Sequence, residues 1–135
     1  MDGARAACVA PGQWVVPGSG DVERRSSDRV LADLARQQVV LLGEAHENPE
    51  HHRWQLHTMA GLHALRPQMI LGLEMVPRGV QPALDDWVAG RLDEAAFLQR
   101  SEWSRVWGFD FHLYLPIFQF ARMHRIPMLA LNVER

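Results

Sequence analysis

The stretch Val39-Val40-Leu41-Leu42-Gly43-Glu44-Ala45-His46 decides the fold predicted for this chain. Its first four residues form a short, continuous apolar run that is rich in β-branched side chains and ends at Gly43. Such a run is typical of a strand that is buried on both faces of a parallel sheet. Ligands of α/β proteins bind beyond the carboxyl ends of such strands, so we expect Glu44 and His46 to lie in a binding site.

A helix and a second strand follow this stretch. Asn48-Pro49 is a strong start signal, because Asn caps free backbone N–H groups and Pro is tolerated in the first helical turn. The helix is predicted to run to about Arg66. The apolar run from Met69 to Leu73, followed by Glu74, predicts a strand parallel to the first one, which completes a β-α-β unit.

The rest of the chain predicts three helical pieces and a third strand. The helices are expected over Pro82–Ala89, Asp93–Arg100 and Pro116–His124, and the strand over Pro127–Leu131. The predicted fold class is therefore α/β, with a three-stranded parallel sheet and flanking helices. Three parallel strands leave two bare edges, so we expect this chain to be a fragment of a larger α/β domain.

Composition excludes several classes of protein. The chain has 135 residues, of which 47% are apolar and 22% charged, values typical of one globular domain. Its 14 basic residues are all Arg, mostly scattered singly, and the net charge is -2, so we expect no nucleic-acid partner. The apolar runs are far shorter than the roughly 18 residues that a membrane-spanning helix needs.

The first 20 residues are rich in Pro and Gly and predict an irregular lead-in. Within them, Arg5-Ala6-Ala7-Cys8 is similar to the cleavage site of a bacterial lipoprotein, although no apolar signal segment precedes it. Two interpretations stay open: residues 1–20 contain the remnant of a lipoprotein amino terminus, or Cys8 is an ordinary residue. A single Cys cannot form an internal disulfide.

Two clusters of side chains could carry chemistry. Glu44, His46 and Glu74 follow predicted strands, and the helix that begins at Pro49 brings polar side chains close behind them. Such a cluster could bind a metal ion or place an acid and a base around a substrate. The second cluster is aromatic, and its default interpretation is packing in the core. It comprises Trp103, Trp107, Phe109, Phe111, Phe118 and Tyr114, the only tyrosine, together with Asp110 and His112.

Several separated motifs together resemble the ChaN-like family of haem-binding, iron-regulated bacterial lipoproteins. They are Leu41–His52 with Gln55, Gly72–Met75, Trp107, Tyr114–Ile117, Ala121-Arg122 and Ile126–Asn132, in the family's order. The resemblance covers about residues 11–135. It implies that residues 21–135 are the amino-terminal half of a ChaN-like α/β domain.

The resemblance also implies a function. We expect a non-enzymatic haem-binding protein of bacterial iron and haem acquisition, located in the cell envelope and held at the membrane only by a lipid anchor. The implied partners are haem and, as an open alternative, a second copy of the chain. The implied haem-binding residues are His46, His51, His52, Gln55 and Tyr114, with His52 and Tyr114 as candidate iron ligands.

A more distant similarity supports an alternative function. Erythromycin esterases and Tiki-type metal-dependent proteases share a Gly-x-x-His motif and a later Glu, which correspond here to Gly43, His46 and Glu74. In that case the protein is a hydrolase that uses a divalent metal ion. Glu44, His46 and Glu74 would then be both its metal ligands and its catalytic residues.

Overall fold

A computed structural model describes residues 8–17 and 22–133, and the chain divides into two units, residues 1–41 and 42–135. In the first unit, strand β1 (Trp14–Pro17) pairs antiparallel with β2 (Val22–Arg25), and helix α1 spans Ser27–Leu34. The lead-in predicted to be irregular over residues 1–20 thus contains a strand. Its consecutive Val15 and Val16 favour extended backbone, and the Pro and Gly residues flank them.

The amino-terminal lipoprotein motif falls mostly outside the described residues. Arg5, Ala6 and Ala7 are not among them, and Cys8 is an exposed free thiol. Lipid attachment at Cys8 and a cell-envelope location stay predictions from the resemblance.

The second unit is a mixed α/β fold around a parallel pair of strands. Strands β3 and β4 pair in parallel, with Leu71 opposite Met128 and Leu73 opposite Ala130, which confirms the pairing predicted for the last two strands. In chain order the elements are α2 (Pro49–Leu65), β3 (Leu71–Pro77), a 3-10 turn (Arg78–Val80), α3 (Gln81–Val88), α4 (Glu94–Ser101), α5 (Trp103–Val106), α6 (Phe111–Met123) and β4 (Met128–Asn132).

The first of the three predicted strands, at residues 39–42, does not form. This segment pairs with no strand in the described part of the chain, and the side chains of Val39 and Leu41 are 73% and 90% exposed. A strand needs a neighbour that satisfies its backbone N–H and C=O groups. Here the Leu42 carbonyl instead accepts a hydrogen bond from the side chain of Gln55 in helix α2 at 3.0 Å.

Local capping signals located most helix starts correctly. The Asn48 side chain accepts from the backbone N–H of Glu50 at 2.9 Å, and Asp93 caps α4. Helix α6 begins earlier than predicted, because Asp110 caps it by accepting from the His112 N–H at 2.9 Å. Pro116 therefore lies inside the helix rather than at its start, and its ring removes one backbone hydrogen bond there.

The aromatic core is a group of four rings, defined here as Trp87, Phe97, Phe111 and Phe118. All four are buried, and the ring centroids of Phe97 and Phe118 are 5.3 Å apart. The Trp87 Nε1–H donates to the Phe118 carbonyl at 2.9 Å, so its polar atom is satisfied by backbone. No helix among residues 8–17 and 22–133 has the length and apolar character to cross a membrane.

Candidate functional site

The segment from Leu42 to His46, here called the 42–46 segment, is held by side chains of helix α2. Besides Gln55 at Leu42, the His51 Nδ1 atom accepts from the Ala45 N–H at 2.8 Å. The His52 Nε2–H donates to the His46 carbonyl at 2.9 Å, since a carbonyl can only accept. Three side chains expected to touch haem thus satisfy backbone groups and fix the positions of Glu44 and His46.

A buried carboxylate is the centre of the site. Glu44 is only 9% exposed, and its Oε1 atom accepts from the Tyr114 hydroxyl at 2.8 Å and lies 2.8 Å from His46 Nδ1. The Trp107 Nε1–H donates to the Tyr114 oxygen at 2.9 Å. We call Glu44, His46, His52, Trp107 and Tyr114 the Glu44 cluster. Its hydrogen bonds join helix α6, the loop after α5 and the 42–46 segment.

The Glu44 carboxylate determines which nitrogen of the His46 ring carries the proton. An ionised carboxylate can only accept hydrogen bonds, so a His46 ring bonded to it carries its proton on Nδ1. In the neutral ring the Nε2 atom then keeps its lone pair. It makes no hydrogen bond with any described residue, and the His46 side chain is 35% exposed. His46 therefore presents a free ring nitrogen outward while its other nitrogen is held from inside.

Aromatic rings surround His46. The ring centroids of Trp107 and Phe109 lie 4.7 and 4.9 Å from that of His46. Packing in the core is the default prediction for both residues, and no spacing signal separates them from the buried aromatic side chains nearby. Only the folded chain places them beside the 42–46 segment, about sixty residues away in sequence.

Tyr114 and His52 are held inside the molecule. Tyr114 is 1% exposed, and burial raises the pKa of its hydroxyl, as do the hydrogen bond to Glu44 and the negative charges of Glu44 and Glu74. His52 is 3% exposed. Its Nδ1 atom lies 3.1 Å from Glu44 Oε2 but without the alignment of a hydrogen bond, so this buried nitrogen has no hydrogen-bond partner.

The described residues do not support the predicted metal site. Within the described ranges, no three His, Cys, Asp or Glu side chains are arranged to hold a metal ion. Glu44 Oε1 is engaged by Tyr114 and His46, and the Glu74 side chain is exposed and makes no hydrogen bond or ion pair with a described residue. The role of Glu44, His46 and Glu74 as catalytic residues of a hydrolase stays a prediction.

Comparison with known proteins identifies the family. A sequence model of the family described as "Haem-binding uptake, Tiki superfamily, ChaN" matches residues 30–135, a range that includes the whole Glu44 cluster. No curated protein and no solved structure matches the chain. The match confirms the resemblance that the sequence motifs indicate. The chain therefore belongs to the ChaN family of the Tiki superfamily, whose description is haem-binding uptake.

Proposed function

We propose that this chain binds haem and that His46 would hold the iron through Nε2. The family description supports haem as the ligand. The observation that carries the choice of residue is the pairing of His46 Nδ1 with the Glu44 carboxylate at 2.8 Å. A histidine that binds a metal ion usually donates its other ring N–H to a carboxylate or a carbonyl, which orients the ring and strengthens it as a ligand.

The surroundings of His46 fit a haem group. Haem, when bound, supplies the iron atom and a large, flat, apolar ring. Trp107 and Phe109 lie beside His46 and offer apolar ring surface next to its partly exposed side chain. Glu44 holds the proton of the ring on Nδ1, away from the iron, so that Nε2 is available as a donor of electrons.

The other candidate ligands are already engaged. The Tyr114 hydroxyl donates to Glu44 and accepts from Trp107, and it would have to lose its proton to bind ferric iron as a phenolate. His52 is buried and bonded to the His46 carbonyl, and His51 Nδ1 accepts from a backbone N–H. Their contribution to haem binding is to hold Glu44 and His46 in place.

The test is a haemin titration followed by absorption spectroscopy. We expect wild-type protein to bind haemin and to show the Soret band of a histidine complex, and His46→Ala to lose that band. The matched control is His57→Ala, because His57 is an exposed histidine of α2 whose ring stacks on Trp54. Equal haemin affinity of wild type and His46→Ala would contradict the proposal.

The family description also supports a function in haem uptake, which would use the same binding site. A protein that takes part in uptake must also release haem to an acceptor. We therefore expect haem to leave the loaded protein when apomyoglobin is added in excess, with the transfer followed by the change in the Soret band. Failure of wild-type protein to release haem would argue against uptake and leave the binding site itself unaffected.

A further inference from the structure

Trp107 contacts both ends of the hydrogen-bonded chain that leads to His46. Its Nε1–H donates to the Tyr114 oxygen at 2.9 Å, and Tyr114 in turn donates to Glu44 at 2.8 Å. The Trp107 ring also packs edge-on against the His46 ring, with centroids 4.7 Å apart. Movement of this one side chain would therefore disturb the imidazole both directly and through Glu44.

The loop that carries Trp107 is held by two hydrogen bonds to the buried residue Trp103. The backbone N–H of Trp107 donates to the Trp103 carbonyl at 2.9 Å, and the Trp103 Nε1–H donates to the Phe109 carbonyl at 2.7 Å. Trp103 is itself buried in the core. Gly108, between the two rings that lie beside His46, has a φ of +84°, a conformation that glycine adopts without strain.

We propose that Trp107 is a positioning residue that keeps His46 in the Nδ1–H tautomer, with the Nε2 lone pair turned outward. The inference rests on the proposed function, in which that lone pair binds iron. The Trp107 N–H orients the Tyr114 hydroxyl, whose own proton is thereby directed to Glu44 Oε1. With Glu44 held in one orientation, its oxygen stays aligned with the Nδ1–H of His46, and the Trp107 ring blocks rotation of the imidazole.

The first measurement is made on the haem-free protein. The ¹⁵N chemical shifts of a histidine ring distinguish its two tautomers, and His46→Ala identifies the His46 signals by their loss. We expect wild type to carry the proton on Nδ1. In Trp107→Phe, which removes the N–H donor, we expect a mixture of both tautomers.

The second measurement is haemin affinity. Trp107→Phe should weaken it by about 2- to 10-fold, the effect of one neutral hydrogen bond. The matched control is Trp54→Phe, the same change on helix α2 outside the Glu44 cluster, and it should alter neither the tautomer nor the affinity. A folded Trp107→Phe with the wild-type tautomer and affinity would overturn the proposal.

Two further results separate the alternative explanations. A residue with only a structural role would lower the melting temperature without changing the tautomer, so that result also counts against positioning. If Trp107→Phe does not fold, Tyr114→Phe interrupts the same chain at the next atom, and an unchanged His46 tautomer there would overturn the proposal. Retention of haemin binding by His46→Ala would refute the proposed function. It would not refute the inference about Trp107, because the tautomer is measured without haem.

Discussion

The aromatic core and the Glu44 cluster use similar side chains in opposite ways. In the aromatic core, the Trp87 N–H donates to a backbone carbonyl, and the four rings pack against one another. In the Glu44 cluster, the Trp107 N–H donates to a side chain whose hydroxyl donates to a buried carboxylate. Aromatic residues therefore provide stability in the first region, whereas in the second they orient a polar group that reaches the surface.

The largest expected effect tests the stabilising half of this comparison. Phe97 is fully buried and packs against Trp87, Phe111 and Phe118. Phe97→Ala should lower the free energy of unfolding by about 3–5 kcal/mol, because it removes a large apolar side chain and leaves a cavity. Urea unfolding measures this effect, with Phe97→Leu as the milder control. A loss below about 1 kcal/mol would mean that Phe97 contributes little more than an exposed side chain. The aromatic core would then not be the stabilising region of the two.

The next effect tests the orienting half. Glu44→Gln preserves the shape of the side chain but removes the negative charge that accepts the hydrogen bond from the His46 Nδ1–H, and a hydrogen bond to a neutral acceptor is weaker. We expect haemin affinity to fall by about 10- to 100-fold, the usual cost of changing a group that holds a metal-binding histidine. The control is Glu50→Gln, because Glu50 is exposed and pairs only with Arg53 on the surface of α2. Unchanged affinity in Glu44→Gln would mean that the carboxylate does not orient His46.

The smallest effect is a pH dependence that sharpens the comparison. The pKa of Tyr114 is raised in the folded protein, chiefly by burial, so the folded state keeps this proton at a pH where the unfolded chain has lost it. Its contribution to stability is complete below about pH 10, the ordinary tyrosine pKa. Above that value, stability should fall with a limiting slope of about 1.4 kcal/mol per pH unit until the folded pKa is reached.

Tyrosinate absorbance measures this directly, because Tyr114 is the only tyrosine of the chain. The folded protein should show no tyrosinate band near pH 10, whereas the urea-unfolded chain should titrate there. A folded protein that titrates at the same pH as the unfolded chain would show that the Tyr114 hydroxyl is accessible to water and not held by the cluster.

Features that depend on neighbouring residues were predictable. The caps at Asn48 and Asp93 act within three residues of the helix start, and the apolar runs of β3 and β4 are continuous in sequence. Glu44 and His46 could also be selected as site residues, because they share one short motif. The apolar run at residues 39–42 misled the prediction, since strand formation depends on a partner that the run itself does not encode.

Local sequence thus sets the helix starts and the apolar runs of β3 and β4, because each depends on residues within a few positions of one another, and one short motif also selects Glu44 and His46. Tertiary structure alone decides which histidine presents a free nitrogen. That choice depends on His52 bonding to the His46 carbonyl and on Tyr114 reaching Glu44 from 70 residues away. A hydrogen bond requires its two atoms to meet at a defined distance and angle, and only the folded chain brings such distant residues together.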